Sequence, residues 1–212
     1  ALLHRLDLDR LAEREPDEAV RRLHRVAVSS GERDLLFALA EMSHAAAERI
    51  RRKVKPWDAR DPRDYYLGAA VYAYLFLFGE AKDAPPGAFD RRFRLACDLY
   101  NYGLALALAE PRGTNPVVRI EARRRRLPVG ELDLRLGPGD LPEGADSFER
   151  FLMADQFRVR GLSVRNRQSG LGAPLVAVRP FDPALGIRRC SPVTVLLRLE
   201  GSLAEVDAGT GG

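Results

Sequence analysis

Around Glu110 the apolar residues change their spacing. Before it they recur every three or four positions, and after it every two. A period near 3.6 marks one buried face of a helix, and a period of two marks a half-buried strand. A chain that switches once is expected to place helices first and strands second. Other properties change at the same point. Residues 1–110 carry 18 basic and 18 acidic side chains, whereas residues 111–212 carry 16 and 12 and so supply the whole net charge of +4. Glycine divides 5 against 13 and proline 5 against 9. The expected fold class is α+β: an N-terminal helical-hairpin bundle (1–110) packed against a mostly antiparallel β-sheet in a β-rich region (111–212).

Five helices are expected. Residues 2–13 carry Leu3, Leu6, Leu8 and Leu11 on one stripe. Glu15-Pro16-Asp17-Glu18 opens a second helix, since proline suits the first helical position and acids suit the positive end of the dipole. Ser29-Ser30-Gly31 closes it. A third runs from about Glu32 to Lys53, ahead of a break at Lys55-Pro56-Trp57. Asp61-Pro62 is a capping residue followed by a first-turn proline. The helix it starts is apolar on nearly every side to Phe78, which predicts a central position in the bundle. The fifth spans about Phe89 to Ala109 through Phe93, Ala96, Cys97, Tyr100, Leu104 and Leu108. Helices two and three make a short-linked hairpin, but no 34-residue repeat of the tetratricopeptide kind is present.

In the second half, Val118-Ile120-Ala122, Leu132-Leu134-Leu136 and Phe157-Val159 alternate with charged residues. Gly161 breaks parity before Leu162 and Val164, as a bulge would. Leu175–Val178 and the run from Val193 are denser and read as central strands. Phe148–Met153 reads as a helical turn or loop.

Chemistry is sparse. A nucleophile elbow needs Gly-x-Ser-x-Gly at a strand–helix turn, and no window provides it. Gly161-Leu-Ser163 lacks the second glycine, and Ser169-Gly-Leu-Gly172 lacks the first. The only histidines, His4, His24 and His44, precede every strand, so a triad in the order Ser, acid, His cannot form within the chain. Their spacing makes no metal pair, and they read as partly exposed residues on helix surfaces. Cys97 reads as a small packed hydrophobe and Cys190 as a loop thiol. Gly170-Leu-Gly172 precedes a strand rather than a helix, so it is no phosphate loop. Asn101 is expected to hydrogen-bond into the sheet layer. No catalytic, cofactor or metal residue is assigned. The one candidate contact for an anion is Arg123, Arg124, Arg125 and Arg126, which reads otherwise as a solvated loop or edge strand. A net +4 is weak grounds for nucleic acid, and no nucleic acid partner is expected. No stretch is long and apolar enough to span a bilayer.

Three segments carry a resemblance. Phe89-Asp-Arg-Arg-Phe-Arg-Leu-Ala-Cys-Asp-Leu-Tyr-Asn101, then Arg160-Gly-Leu with Gly170-Leu-Gly-Ala-Pro-Leu-Val-Ala-Val178, then Pro192-Val-Thr-Val-Leu-Leu-Arg-Leu-Glu-Gly-Ser-Leu203 resemble, in that order, the N-terminal region of large bacterial α/β-hydrolase-like proteins of lipase/esterase type. Glu15-Pro-Asp-Glu-Ala-Val20 is similar as well. The resemblance implies a lipoprotein signal before Ala1, a cell-envelope location through a lipid anchor outside this chain, and a hydrolase domain after Gly212 that is this region's own partner. It assigns no catalytic residue here. The chain, which begins without Met and ends in Gly-Thr-Gly-Gly, is expected to be a piece of a longer protein, a non-catalytic region positioning or covering that domain. The alternative is a helical-hairpin scaffold that binds a protein partner.

Overall fold

The computed structural model describes residues 9–52, 59–110, 117–137, 147–155 and 170–200. Its helices are α1 (Asp9–Arg14), α2 (Pro16–Ser30), α3 (Arg33–Arg52), α4 (Pro62–Phe78) and α5 (Arg91–Leu108). Its strands are β1 (Ala109–Glu110), β2 (Val117–Val118), β3 (Arg123–Leu127), β4 (Gly130–Leu134), β5 (Arg150–Met153), β6 (Ala173–Asp182) and β7 (Ile187–Val195). The switch of period at Glu110 is therefore the switch from helix to strand, and the α+β expectation holds.

The helix ends follow their local chemistry. Pro16 stands in the first turn of α2, and Gly31 ends it in the left-handed conformation at φ 67 with its N–H donating to Ala27. The Asp61 side chain accepts from the Arg63 N–H and caps α4, while Asp90 does the same for α5 through Arg92. Twelve of the 17 residues of α4 are buried. The helix packs between α3 and α5, the central position its apolar circumference predicted. Two small-residue contacts allow this: Gly68 lies against Ser43 of α3, and Gly103 of α5 lies against the α4 backbone at Tyr66 and Ala70.

The larger sheet has the order β1-β2-β5-β6-β7, antiparallel throughout, and β3-β4 form a separate hairpin. Helix α5 lies on the sheet, and the hairpin lies against α4. One apolar core runs through both halves, from Leu23, Leu39 and Phe76 to Val118, Phe151 and Leu175. The compositional boundary at Glu110 therefore does not divide the core.

Several expectations need correction. Phe148–Met153 contains strand β5, with Phe151 and Met153 buried, and not a turn. Among the described residues β7 lies at the end of the strand order, so the run from Val193 belongs to an edge strand there. Of the Val118–Ala122 alternation only Val118 lies in a strand, at the end of β2. Leu136 lies beyond β4 and is exposed. The fifth helix begins after Asp90, which leaves Phe89 fully exposed and Phe93 partly so. His24 is buried within α2 rather than partly exposed. Residues 2–8, the 55–57 break, the 157–164 alternation with Gly161, and His4 lie outside the described residues. An irregularity does occur in the β6–β7 pairing, between Val178 and Phe181. It falls at Pro180, which has no N–H to give the ladder.

Candidate functional site

Two polar side chains of α5 reach across to the sheet side of the molecule. Helix α5 turns Ala96, Leu99, Tyr100, Gly103, Leu104 and Ala107 into the core. Tyr100 and Asn101 carry polar groups from this helix to backbone beside the strands. The Tyr100 hydroxyl donates to the Leu197 carbonyl at 2.9 Å and accepts from the Leu197 N–H at 2.6 Å. The Asn101 Nδ2 donates to the Gly170 carbonyl at 2.8 Å, and its Oδ1 accepts from the Gly172 N–H at 2.6 Å. The expected bond from Asn101 into the sheet layer is thus present, twice. Gly172 has φ 120, and a Cβ there would lie 2.3 Å from Thr194 Cγ2. Only glycine fits both that backbone and that space. The end of the 89–101 segment on α5 therefore binds the stretch entering β6 and the stretch leaving β7.

The arginine run forms β3. Its residues alternate in burial, because successive strand side chains point to opposite faces. Arg125 turns inward and pairs with Asp64 of α4, Nη2 to Oδ1 at 2.6 Å. Burial pushes the Asp64 carboxyl up, against the opposing pull of Arg125. Arg123 reaches Glu121, while Arg124 and Arg126 reach Glu131 at 3.5 and 3.6 Å. Such exposed pairs are weak. Of the four candidate anion contacts, Arg124 and Arg126 are thus the two turned to solvent, and Arg125 is held inside the fold.

The strongest electrostatic perturbation lies between α3 and α4. The Tyr66 hydroxyl donates to Glu48 Oε1 at 2.5 Å, and Arg51 pairs with Oε2 at 2.8 Å. The bond from Arg51 holds the Glu48 carboxyl down at about 2, with the Tyr66 hydroxyl helping against burial. Burial first, and then Glu48, drive the Tyr66 phenol well above its ordinary value. The His44 ring meets the Tyr66 ring edge-on, and its burial lowers its pKa. A carboxylate fixed as an anion and a phenol fixed as neutral are poor partners for exchanging a proton near neutral pH. The cluster ties two helices together. His24 does the same between α2 and α4, its Nδ1 lying 2.9 Å from the Tyr72 hydroxyl.

Arg33 is the polar residue that sequence patterning passes over. It is buried at the start of α3, where its guanidinium donates to the carbonyls of Leu75, Phe76 and Gly79 at the end of α4, and to that of Asp83. The last carbonyls of a helix lack intrahelical donors, and one arginine supplies several here. An arginine beside a helix start looks like surface charge, and nothing local in the sequence marks it as inward.

A cavity of about 350 Å³ opens where α2 and α4 end and α3 begins, lined in part by Leu36, Tyr74, Phe78 and Leu199, with Glu32 and Glu80 on its walls. None of the perturbed groups above lines it. Cys97 is half-buried, and burial together with Asp98 pushes its thiol up, away from the nucleophilic thiolate. Cys190 is exposed. Among the described residues no three His, Cys, Asp or Glu side chains are grouped to hold a metal ion, and no helix is long and apolar enough to cross a membrane. Comparisons with protein-family models, with curated proteins and with solved structures find no match.

Proposed function

We propose that this chain is a non-catalytic clamp region of an α/β-hydrolase-like protein of the serine esterase or lipase type, holding or covering a catalytic domain encoded after Gly212 at the cell envelope. One observation carries the reading. The segments that resemble the N-terminal region of such proteins are the ones joined through Tyr100–Leu197 and Asn101–Gly170/Gly172. Their unusual residues thus have a shared mechanical task. The polar groups described above support the same role, since Arg33, Arg125, Glu48 and His24 are all engaged in joining one element to another.

The test is an assay of this chain and of its full-length parent on short-chain acyl esters, with a fluorophosphonate probe to label any activated serine. The expected result is no turnover and no labelling within residues 1–212, with turnover and labelling in the parent beyond Gly212. Ester turnover by this chain alone, or an inactive parent carrying an intact nucleophile elbow, would overturn the reading. A parent whose remaining residues are further helical hairpins would favour the partner-binding scaffold instead.

A further inference from the structure

The hairpin joining β6 to β7 turns large apolar side chains to solvent. Phe181, Leu185 and Ile187 are each more than half exposed, at 53%, 57% and 52%. In the pairing register Phe181 faces Arg188, and Asp182 faces Ile187. Directly opposed residues share a face, and successive residues alternate between faces. Phe181 and Ile187 therefore lie on opposite faces of the two-stranded finger. Leu185 sits in the turn between them, which Gly186 closes at φ 63. A protein docking onto a sheet face would cover one of these sides. Apolar groups on both faces and at the tip suit a medium that surrounds the finger.

From Pro180 to Ile187 the one ionisable side chain is Asp182, and its charge is met from within the hairpin. Its Oδ1 accepts from the N–H groups of Ala184 and Leu185 at 3.0 and 3.3 Å, and its Oδ2 pairs with Arg189 at 3.2 Å. Behind the tip stand Arg179, Arg188 and Arg189, with Arg150 on the adjoining β5, against the carboxylates Glu149 and Asp182. The base of the finger is therefore positive. At about 3.3 Å per strand residue, the tip rises roughly 5–8 Å above the Phe181–Arg188 pair. That matches the roughly 5–10 Å to which interfacial segments enter the headgroup–acyl boundary.

We infer that the β6–β7 hairpin is a membrane-interface wedge, seating Leu185 and Ile187 among the acyl chains of an anionic bilayer with Phe181 at their boundary beside Arg188, while the net positive charge at the base of the finger faces the lipid phosphates. It spans nothing. It adds a weak, charge-selective contact of the chain's own, which does not depend on any attached hydrolase domain.

The test is flotation of the whole chain with phosphatidylcholine vesicles, with and without phosphatidylglycerol. The chain should float with the phosphatidylglycerol vesicles at low salt and lose that binding as salt rises. In the variant Phe181→Ser, Leu185→Ser, Ile187→Ser the vesicle partition coefficient should fall about tenfold or more. A circular dichroism melt matching the parent's would show that this variant folds. A second variant, Leu185→Trp, keeps the tip apolar. Its emission should shift to the blue on adding phosphatidylglycerol vesicles by more than that of the parent with its native Trp57. Several outcomes overturn the wedge: no flotation with either vesicle, full binding by the serine variant, or binding abolished by Arg124→Glu with Arg126→Glu while the serine variant still binds. Self-association that the serine variant abolishes, without vesicle binding, would likewise overturn it and assign the tip to a protein contact.

Discussion

Tyr100 holds Leu197 by both of its backbone groups, donating to the carbonyl at 2.9 Å and accepting from the N–H at 2.6 Å. A hydroxyl can donate and accept at the same time. Tyr100→Phe should therefore destabilise the fold by about 1–3 kcal/mol, the usual cost of stranding inward-facing backbone groups. Urea unfolding followed by circular dichroism measures the loss. Amide exchange should quicken at Leu197 while the centre of α4 keeps its protection. Uniform quickening across the chain would count against a local clamp.

A Cβ at Gly103 would lie 2.7 Å from the Tyr66 carbonyl oxygen and 3.2 Å from the Ala70 nitrogen, both on the α4 backbone. Gly103→Ala must push two helices apart, although alanine is the better helix former. The expected net effect is a loss of roughly 1–3 kcal/mol, as for other overpacked cores. Gly87→Ala is the control, because nothing lies within 4 Å of that position. Equal midpoints of chemical unfolding for the two variants would refute the close approach.

Arg33→Met keeps much of the side chain's bulk but removes the donors to Phe76 and Gly79, while the Leu75 carbonyl keeps the Gly79 N–H. Each carbonyl left unmet costs of order 1 kcal/mol or more. The end of α4 should fray first, so hydrogen exchange ought to rise around residues 75–79 well before the rest of the helix. Arg33→Lys should recover only part of the loss, since an ammonium cannot reproduce the guanidinium fork.

These effects bear on what the sequence discloses. Asp61-Pro62 and Pro16 with Gly31 mark their helix ends because capping is local chemistry. The apolar circumference of α4 foretells its central place for the same reason: it concerns one helix alone. The failures concern relations between elements. β5 is four residues, Arg-Phe-Leu-Met, too short to display a period. β7 carries the composition of an inner strand, and its edge position depends on what lies beside it. Four arginines in a row hide the alternation that turns Arg125 inward, because identical residues have no visible period. His24 is buried by a tyrosine 48 positions away. Of the candidate site, Asn101 was legible as a link to the sheet, whereas Tyr100 read as core and nothing in the pattern singled out Arg33.

The Glu48 carboxyl sits at about 2 in the fold against an ordinary value of 4.5, so the folded state favours its anion. Its contribution to stability is complete above pH 4.5. It is lost as the pH falls from there toward 2, where the unfolded chain takes up the proton first. Glu48→Gln keeps an acceptor for the Tyr66 hydroxyl but has no proton to gain. The difference in urea midpoint between parent and variant should shrink as pH falls from 6 through this window (about 4.5 to 2). A difference that is flat with pH would mean that the Arg51–Glu48–Tyr66 contact does not hold the charge.

Helix α4 has a consequence for the chain while it is being made. It leaves the ribosome with α3 already available to cover one side, but the opposite side is closed by α5, which ends about 30 residues later. At roughly 5–20 residues per second, that wait lasts on the order of seconds. During it, an apolar helix with no polar face stands half-covered in water. Slower synthesis between Gly79 and Leu108 lengthens that exposure in direct proportion.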